Sequence, residues 1–170
     1  FGLIKHTFWI SMRFCRFFYA VAFFLLISPA HADFAGEVVG VMDGDTVDVL
    51  VSNERVRVRL AHIDAPEKHQ AFGARSHQAL SSLVFRRPIT VTEVDRDRYG
   101  RVVGVIHVAG TEVNAEMVRL GMAWVYRKHY VGAALYELER DARASRRGLW
   151  VDSSPIQPWH FRRTAPRSAW

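Results

Sequence analysis

Three short clusters hold the residues best suited to chemistry. Asp43-Gly44-Asp45-Thr46 places two carboxylates at a glycine turn. Carboxylate oxygens are the donors that a hard divalent cation takes, although an Asp-Gly pair also makes an ordinary turn. Arg59-Leu60-Ala61-His62-Ile63-Asp64-Ala65-Pro66-Glu67 combines an arginine, a potential metal ligand and a potential base around a proline-stiffened turn. Phosphodiester hydrolysis needs that combination, because cation and arginine neutralise phosphate charge while a carboxylate orients or deprotonates a water. The bland alternative is a surface ion pair of small energetic value. Asp97-Arg98-Tyr99-Gly100-Arg101 offers a second arginine for a phosphate, or a solvated hairpin tip.

Two other metal schemes fail on spacing. Asp43, Asp45 and Glu54 occupy the first, third and twelfth positions of a calcium EF-hand loop, but Val47 and Asp48 do not suit the fifth and sixth. His62, His69, His77 and His107 are scattered in a way that matches no usual zinc pattern. They read as surface polar residues.

The elements around these clusters are mostly strands. Val38-Val39-Gly40-Val41 leads into the Asp43–Asp45 turn, and Val47-Asp48-Val49-Leu50-Val51 leads out of it. Arg55-Val56-Arg57-Val58-Arg59-Leu60 alternates with period two, which turns Val56, Val58 and Leu60 to the core and the three arginines away from it. Residues 73–86 have a helical stripe of Ala79, Leu80, Leu83 and Val84. Strands at Ile89–Val94 and Val102–Val108 flank the polar turn Asp95–Gly100. Asn114 is expected to cap a short helix ending near Gly121, and Ala133–Arg147 forms a third helix stopped by Gly148. Three strands, a helix, two strands and further helices make an α+β chain dominated by a small β-barrel.

Both ends are expected to lie outside that domain. Residues 1–32 carry Lys5, Arg13 and Arg16 but no acid. An apolar run of eleven residues from Phe17 to Ile27 follows, and Ala30-His31-Ala32 precedes Asp33. This order of charged, apolar and small residues is that of a cleavable signal peptide, with Met12 a candidate start. Eleven residues are too few to span a bilayer comfortably. An exported protein without a stable membrane anchor is therefore expected, periplasmic or secreted. Residues 151–170 hold three prolines and little periodicity, and read as a surface tail.

Removing residues 1–32 takes away three of the 23 basic residues and none of the 17 acidic ones, which leaves a net charge of +3. The remaining cations are arginines except Lys68 and Lys128. Arginine's planar fork suits phosphate, so an anionic partner is favoured. The only cysteine, Cys15, lies in the signal segment, so the expected mature chain has no internal disulfide and relies on its core.

Taken together, the motifs resemble the staphylococcal nuclease (thermonuclease) family. The matching residues are Val41-x-Asp43-Gly44-Asp45-Thr46-Val47, Arg59-Leu60 through Asp64-x-Pro66-Glu67, and Tyr99-Gly100-Arg101. Val113-Asn114-x-x-Met117-Val118-Arg119-x-Gly121-x-Ala123 and Gly148-Leu149-Trp150 agree as well. The resemblance runs from about Val38 to Trp150. It implies a five-stranded OB-type barrel with three α-helices and calcium-dependent cleavage of DNA or RNA, leaving 3′-phosphate ends. By the same resemblance Asp45 and Asp64 are Ca2+ ligands, and Ala65 adds a backbone carbonyl where the staphylococcal enzyme has threonine. Glu67 activates or positions the attacking water, and Arg59 and Arg101 clamp the phosphate. Asp43 supports the metal ligands from behind, and Tyr99 lies beside the nucleotide. Tyr126 and Tyr130 stack on bases or pack in the core. A monomer is the expected state. The competing reading is a nucleic-acid-binding barrel without catalysis. Three carboxylates facing a polyanion would serve such a binder poorly unless a cation intervened.

Overall fold

The computed structural model describes residues 33–127, 130 and 132–164. The expected signal segment, residues 1–32, lies outside the described residues. Among the described residues eight strands run in the order β1 (Phe34–Val41), β2 (Thr46–Val51), β3 (Glu54–Leu60), β4 (Ile63–Asp64), β5 (Pro88–Arg96), β6 (Val102–Val108), β7 (Thr111–Glu112) and β8 (Trp124–Val125). Between and after them lie α1 (Gly73–Val84), α2 (Val113–Arg119), α3 (Ala134–Ala144), a 3-10 turn (Gly148–Val151) and α4 (Pro158–Thr164).

The antiparallel sequence β3-β2-β1-β5-β6 closes on itself through a parallel pairing of β3 with β6, in the register Val58↔Val102 and Leu60↔Gly104. Closure removes the exposed strand edges that a five-stranded open sheet would leave. The alternation expected in β3 is present: Val58 and Leu60 are buried and Val56 partly so, while Arg55 and Arg57 are exposed. Val38, Val47, Val49, Val58, Leu60, Val91 and Ile106 belong to one buried core. Each such aliphatic side chain contributes on the order of 1.5–3 kcal/mol by leaving water.

The barrel matches the expected architecture, but four α-helices are present among the described residues rather than three. The additional one is α4. Helix α1 begins at Gly73 as expected and stops at Val84, where Arg86 takes a left-handed φ of 58° and turns the chain into β5. Helix α3 ends at Ala144, short of Arg147, because Arg146 already has a φ of 50°. Gly148 therefore serves the following turn rather than ending the helix. Asn114 does not cap α2. Its side chain instead ties the barrel to the helix: Nδ2 donates to the carbonyls of Ala61 (2.9 Å) and Gly104 (3.2 Å), and Oδ1 accepts from the Ile106 N–H (3.0 Å).

A smaller apolar cluster of Trp124, Ala142, Leu149 and Trp150 receives Phe72 and Trp159 at its margin. Through Trp159, whose ring centre is 6.1 Å from that of Trp124, α4 packs onto this cluster. None of the described helices is long and apolar enough to cross a membrane.

Candidate active site

The site is assembled where the β1–β2 turn, the end of β3 and β4 meet. Gly44 makes the meeting possible. A Cβ there would lie 2.6 Å from the Ser76 Cβ of α1 and 2.7 Å from the Ala65 Cβ, so the turn packs directly on both. The Asp43 carboxylate accepts the Asp45 N–H at 2.9 Å and fixes the turn. At the other side His62, with φ 68°, redirects the chain from β3 into β4. There Ile63 and Asp64 pair with Val125 and Trp124. Asp45 and Asp64 are thereby held on rigid backbone, 4% and 0% exposed.

Arg59 joins the two acids. Its Nη1 donates to Asp45 Oδ1 and its Nη2 to Asp64 Oδ1, each at 3.0 Å. Asp45 is further fixed by the Thr46 hydroxyl (3.0 Å) and the Ala65 N–H (3.0 Å). The charge of Asp45 outweighs burial and holds the Arg59 guanidinium above its ordinary pKa. A second guanidinium, absent from the sequence reading, completes the cluster. Arg162 on α4 donates to Asp64 Oδ2 at 2.6 Å and Oδ1 at 3.1 Å, and to Glu67 Oε1 at 2.5 Å. No motif marks Arg162. It stands 98 residues after Asp64 in a stretch without periodicity, and only the docking of α4 brings it here.

Glu67 sits on the loop before α1. Its N–H donates to the Gln70 side-chain oxygen at 3.1 Å, and the loop lies so close to α1 that a Cβ on Gly73 would fall 1.9 Å from the Glu67 carbonyl. Arg101 is separate from the carboxylate cluster. Asp97 holds it, through Nε at 2.6 Å and the backbone N–H at 3.0 Å. Burial opposes ionisation of Asp97, but the Arg101 hydrogen bonds outweigh it and keep its carboxyl below the usual range. Arg59, Arg101 and Arg162 nevertheless line one cleft of about 720 Å³, together with His62, Asp97 and Tyr126. The three arginines face this space, and the buried aspartates stand behind them.

The aromatic candidates divide. Tyr99 is 69% exposed on the hairpin tip, with the Arg101 guanidinium carbon 5.6 Å from its ring centre. Tyr126 lines the cleft, its ring 5.5 Å from Trp159. Tyr130 packs instead between His62 (5.1 Å) and Tyr136 (5.5 Å), in an aromatic cluster beside α3.

Among the described residues no three His, Cys, Asp or Glu side chains converge tightly enough to hold an ion by themselves. A cation at Asp45 and Asp64 would draw its other ligands from backbone oxygen and water, which suits a hard ion. Burial raises the Asp64 carboxyl above its ordinary pKa despite three guanidinium hydrogen bonds, and the charge of Asp45 adds to this. Asp43 is pushed up to about 7, by burial first and then by the charge of Asp45. The carboxylate and carbonyl oxygens are the donor type a hard divalent cation takes.

Sequence comparison agrees with this geometry. The profile of the family described as "Staphylococcal nuclease homologue" matches residues 57–152, more than half of the chain. A micrococcal nuclease of Shigella flexneri is 50% identical over 160 residues, covering 86% of this chain and 91% of its own. Protein ParB of Escherichia coli is 50% identical over 155 residues, covering 85% and 88%. An uncharacterized endonuclease of Escherichia coli is 47% identical over 132 residues, covering 77% and 86%. With the barrel, the paired aspartates and the arginine cleft in place, the chain belongs to the staphylococcal nuclease family and is a nuclease.

Proposed function

We propose that the protein is an exported, calcium-dependent endonuclease that hydrolyses the P–O5′ bonds of DNA or RNA and leaves 3′-phosphate ends. The observation that carries this reading is the bridging of Asp45 and Asp64 by Arg59 at the wall of a cleft that Arg101 also lines. Asp45, Asp64 and the Ala65 carbonyl would hold the cation. When bound, it neutralises phosphate charge and supplies an ordered water.

The chain's own groups carry the remaining steps. Arg59 and Arg101 donate charge-assisted hydrogen bonds to the non-bridging phosphate oxygens, which gain strength as charge accumulates in the transition state. The Asp45–Asp64 pair and Asp97 pre-orient these guanidinium groups, so little reorganisation is left for the reaction itself. Glu67 accepts a proton from, or orients, the attacking water. Asp43 steadies the turn that carries Asp45. Tyr99 and Tyr126 offer faces on which bases can stack.

Digestion of a 5′-labelled oligonucleotide tests the products. The expected fragments end in 3′-phosphate and shift in mobility after phosphatase treatment; 3′-hydroxyl ends would contradict the proposed bond. Export is tested by N-terminal sequencing of the protein from periplasm or medium, where a mature end at Asp33 is expected. Full-length chain retained in the cytoplasm would refute the signal.

A further inference from the structure

The C-terminal segment touches the Glu67 loop at two independent points. The first is Gln70, whose amide is shared between the two: Oε1 accepts the Glu67 N–H at 3.1 Å while Nε2 donates to the Ile156 carbonyl at 2.5 Å. Gln70 is 8% exposed, so this link is shielded from water. The second is Arg162, one guanidinium shared by Asp64 and Glu67. Helix α4 is held in place to make that contact, with Trp159 against Trp124 and Tyr126. Asp64 is rooted in the β4–β8 ladder, whereas Glu67 lies on a loop with no ladder of its own. Arg162 therefore ties the loop to the ladder directly through the two carboxylates.

We infer that Arg162 is a positioning residue of the nuclease site, which fixes the Glu67 carboxylate relative to Asp64, and that residues 152–164 are a working part of the site. The inference rests on the reading of Glu67 as the group that handles water. A planar fork suits the task better than an ammonium, because it can hold two carboxylates at a set separation and angle. Only Oε1 of Glu67 is engaged by Arg162, so a second oxygen is left for a water.

The test compares the full chain with its Arg162→Ala, Arg162→Lys and Glu67→Gln variants. In the metal-free protein, amide hydrogen exchange of residues 67–72 should quicken several-fold in Arg162→Ala, with the strands of the barrel unchanged. With calcium and DNA, kcat should fall ~10- to 100-fold, the range expected for a misplaced catalytic group, while KM stays within about twofold. Arg162→Lys should fall between the two. Millimolar guanidinium ion should restore part of the activity of Arg162→Ala and none of that of Glu67→Gln. The inference is overturned if exchange and kcat are both unchanged. It is also overturned if barrel exchange rises throughout and guanidinium restores nothing, because Arg162 would then be a stabilising contact only. Higher kcat with tighter calcium binding in Arg162→Ala, read by calorimetry, would make it a plug and not a support. Full activity of Glu67→Gln would instead sink the reading of Glu67, whatever the exchange data show.

Discussion

At the residue scale, the three functional positions differ in what their loss would do to the fold. Arg101 leaves only the partly exposed Asp97 behind when it is removed, so Arg101→Ala should stay folded and lose activity by about 10²- to 10³-fold. Glu67→Ala should behave alike, since its side chain meets solvent and its loss frees one arm of Arg162. Arg59→Ala is a different experiment. It leaves the buried Asp45 without its guanidinium partner, although Asp64 keeps Arg162, and breaking such a pair costs on the order of 3–5 kcal/mol. Arg59→Lys, which keeps the charge, is the cleaner probe. Circular dichroism melts beside turnover rates separate these cases; an active Arg101→Ala protein would remove Arg101 from the mechanism.

Asp43 supplies a pH signature. Its folded pKa of about 7 lies above the ordinary 3.8, so the fold penalises its ionised form. That penalty is absent below 3.8, grows as pH rises toward 7 and is complete above it. Asp43→Asn retains the oxygen that accepts the Asp45 N–H and cannot ionise. It should stabilise the metal-free protein at pH 8, by roughly 1–2 kcal/mol once solvent screening at this partly exposed site is allowed for. Near pH 4 it should be neutral. An equal change in Tm at both pH values would contradict the assigned cause.

At the element scale, the chain's local patterns carried most of the architecture. Period-two alternation in residues 55–60 and the Asp-Gly turn gave β2 and β3, and their facing is as expected. Asn114 shows where local reasoning stops. A polar residue near a helix start reads as a cap, yet its partners lie 53 and 10 residues away and only the folded barrel reveals them. Arg162 was illegible for the same reason. Sequence spacing finds groups brought together by one turn or one strand, and α4 reaches the site only through tertiary docking of Trp159. Asn114→Ala should cost about 2–4 kcal/mol, because it removes the side-chain partners of the buried Ala61 carbonyl and Ile106 N–H, while the Gly104 carbonyl keeps the Ala61 N–H. A denaturant midpoint within error of the parent protein would show that those groups find other partners.

At the scale of the whole molecule, three arginines from β3, the β5–β6 hairpin and α4 converge on one cleft, although the modest net charge of the barrel does not demand it. Closure of β3 on β6 is what brings the first two together, since Arg59 pairs with Val103 two residues beyond Arg101. The central claim is that this cleft hydrolyses nucleic acid with a cation held by Asp45 and Asp64. The most direct measurement is cleavage of single- and double-stranded DNA by the protein in calcium, in magnesium and in excess chelator, alongside Glu67→Ala. Calcium-dependent cutting that stops in chelator and falls by about two orders of magnitude or more in Glu67→Ala is the predicted result. DNA binding without cutting in any metal would contradict it and leave a nucleic-acid-binding barrel in its place.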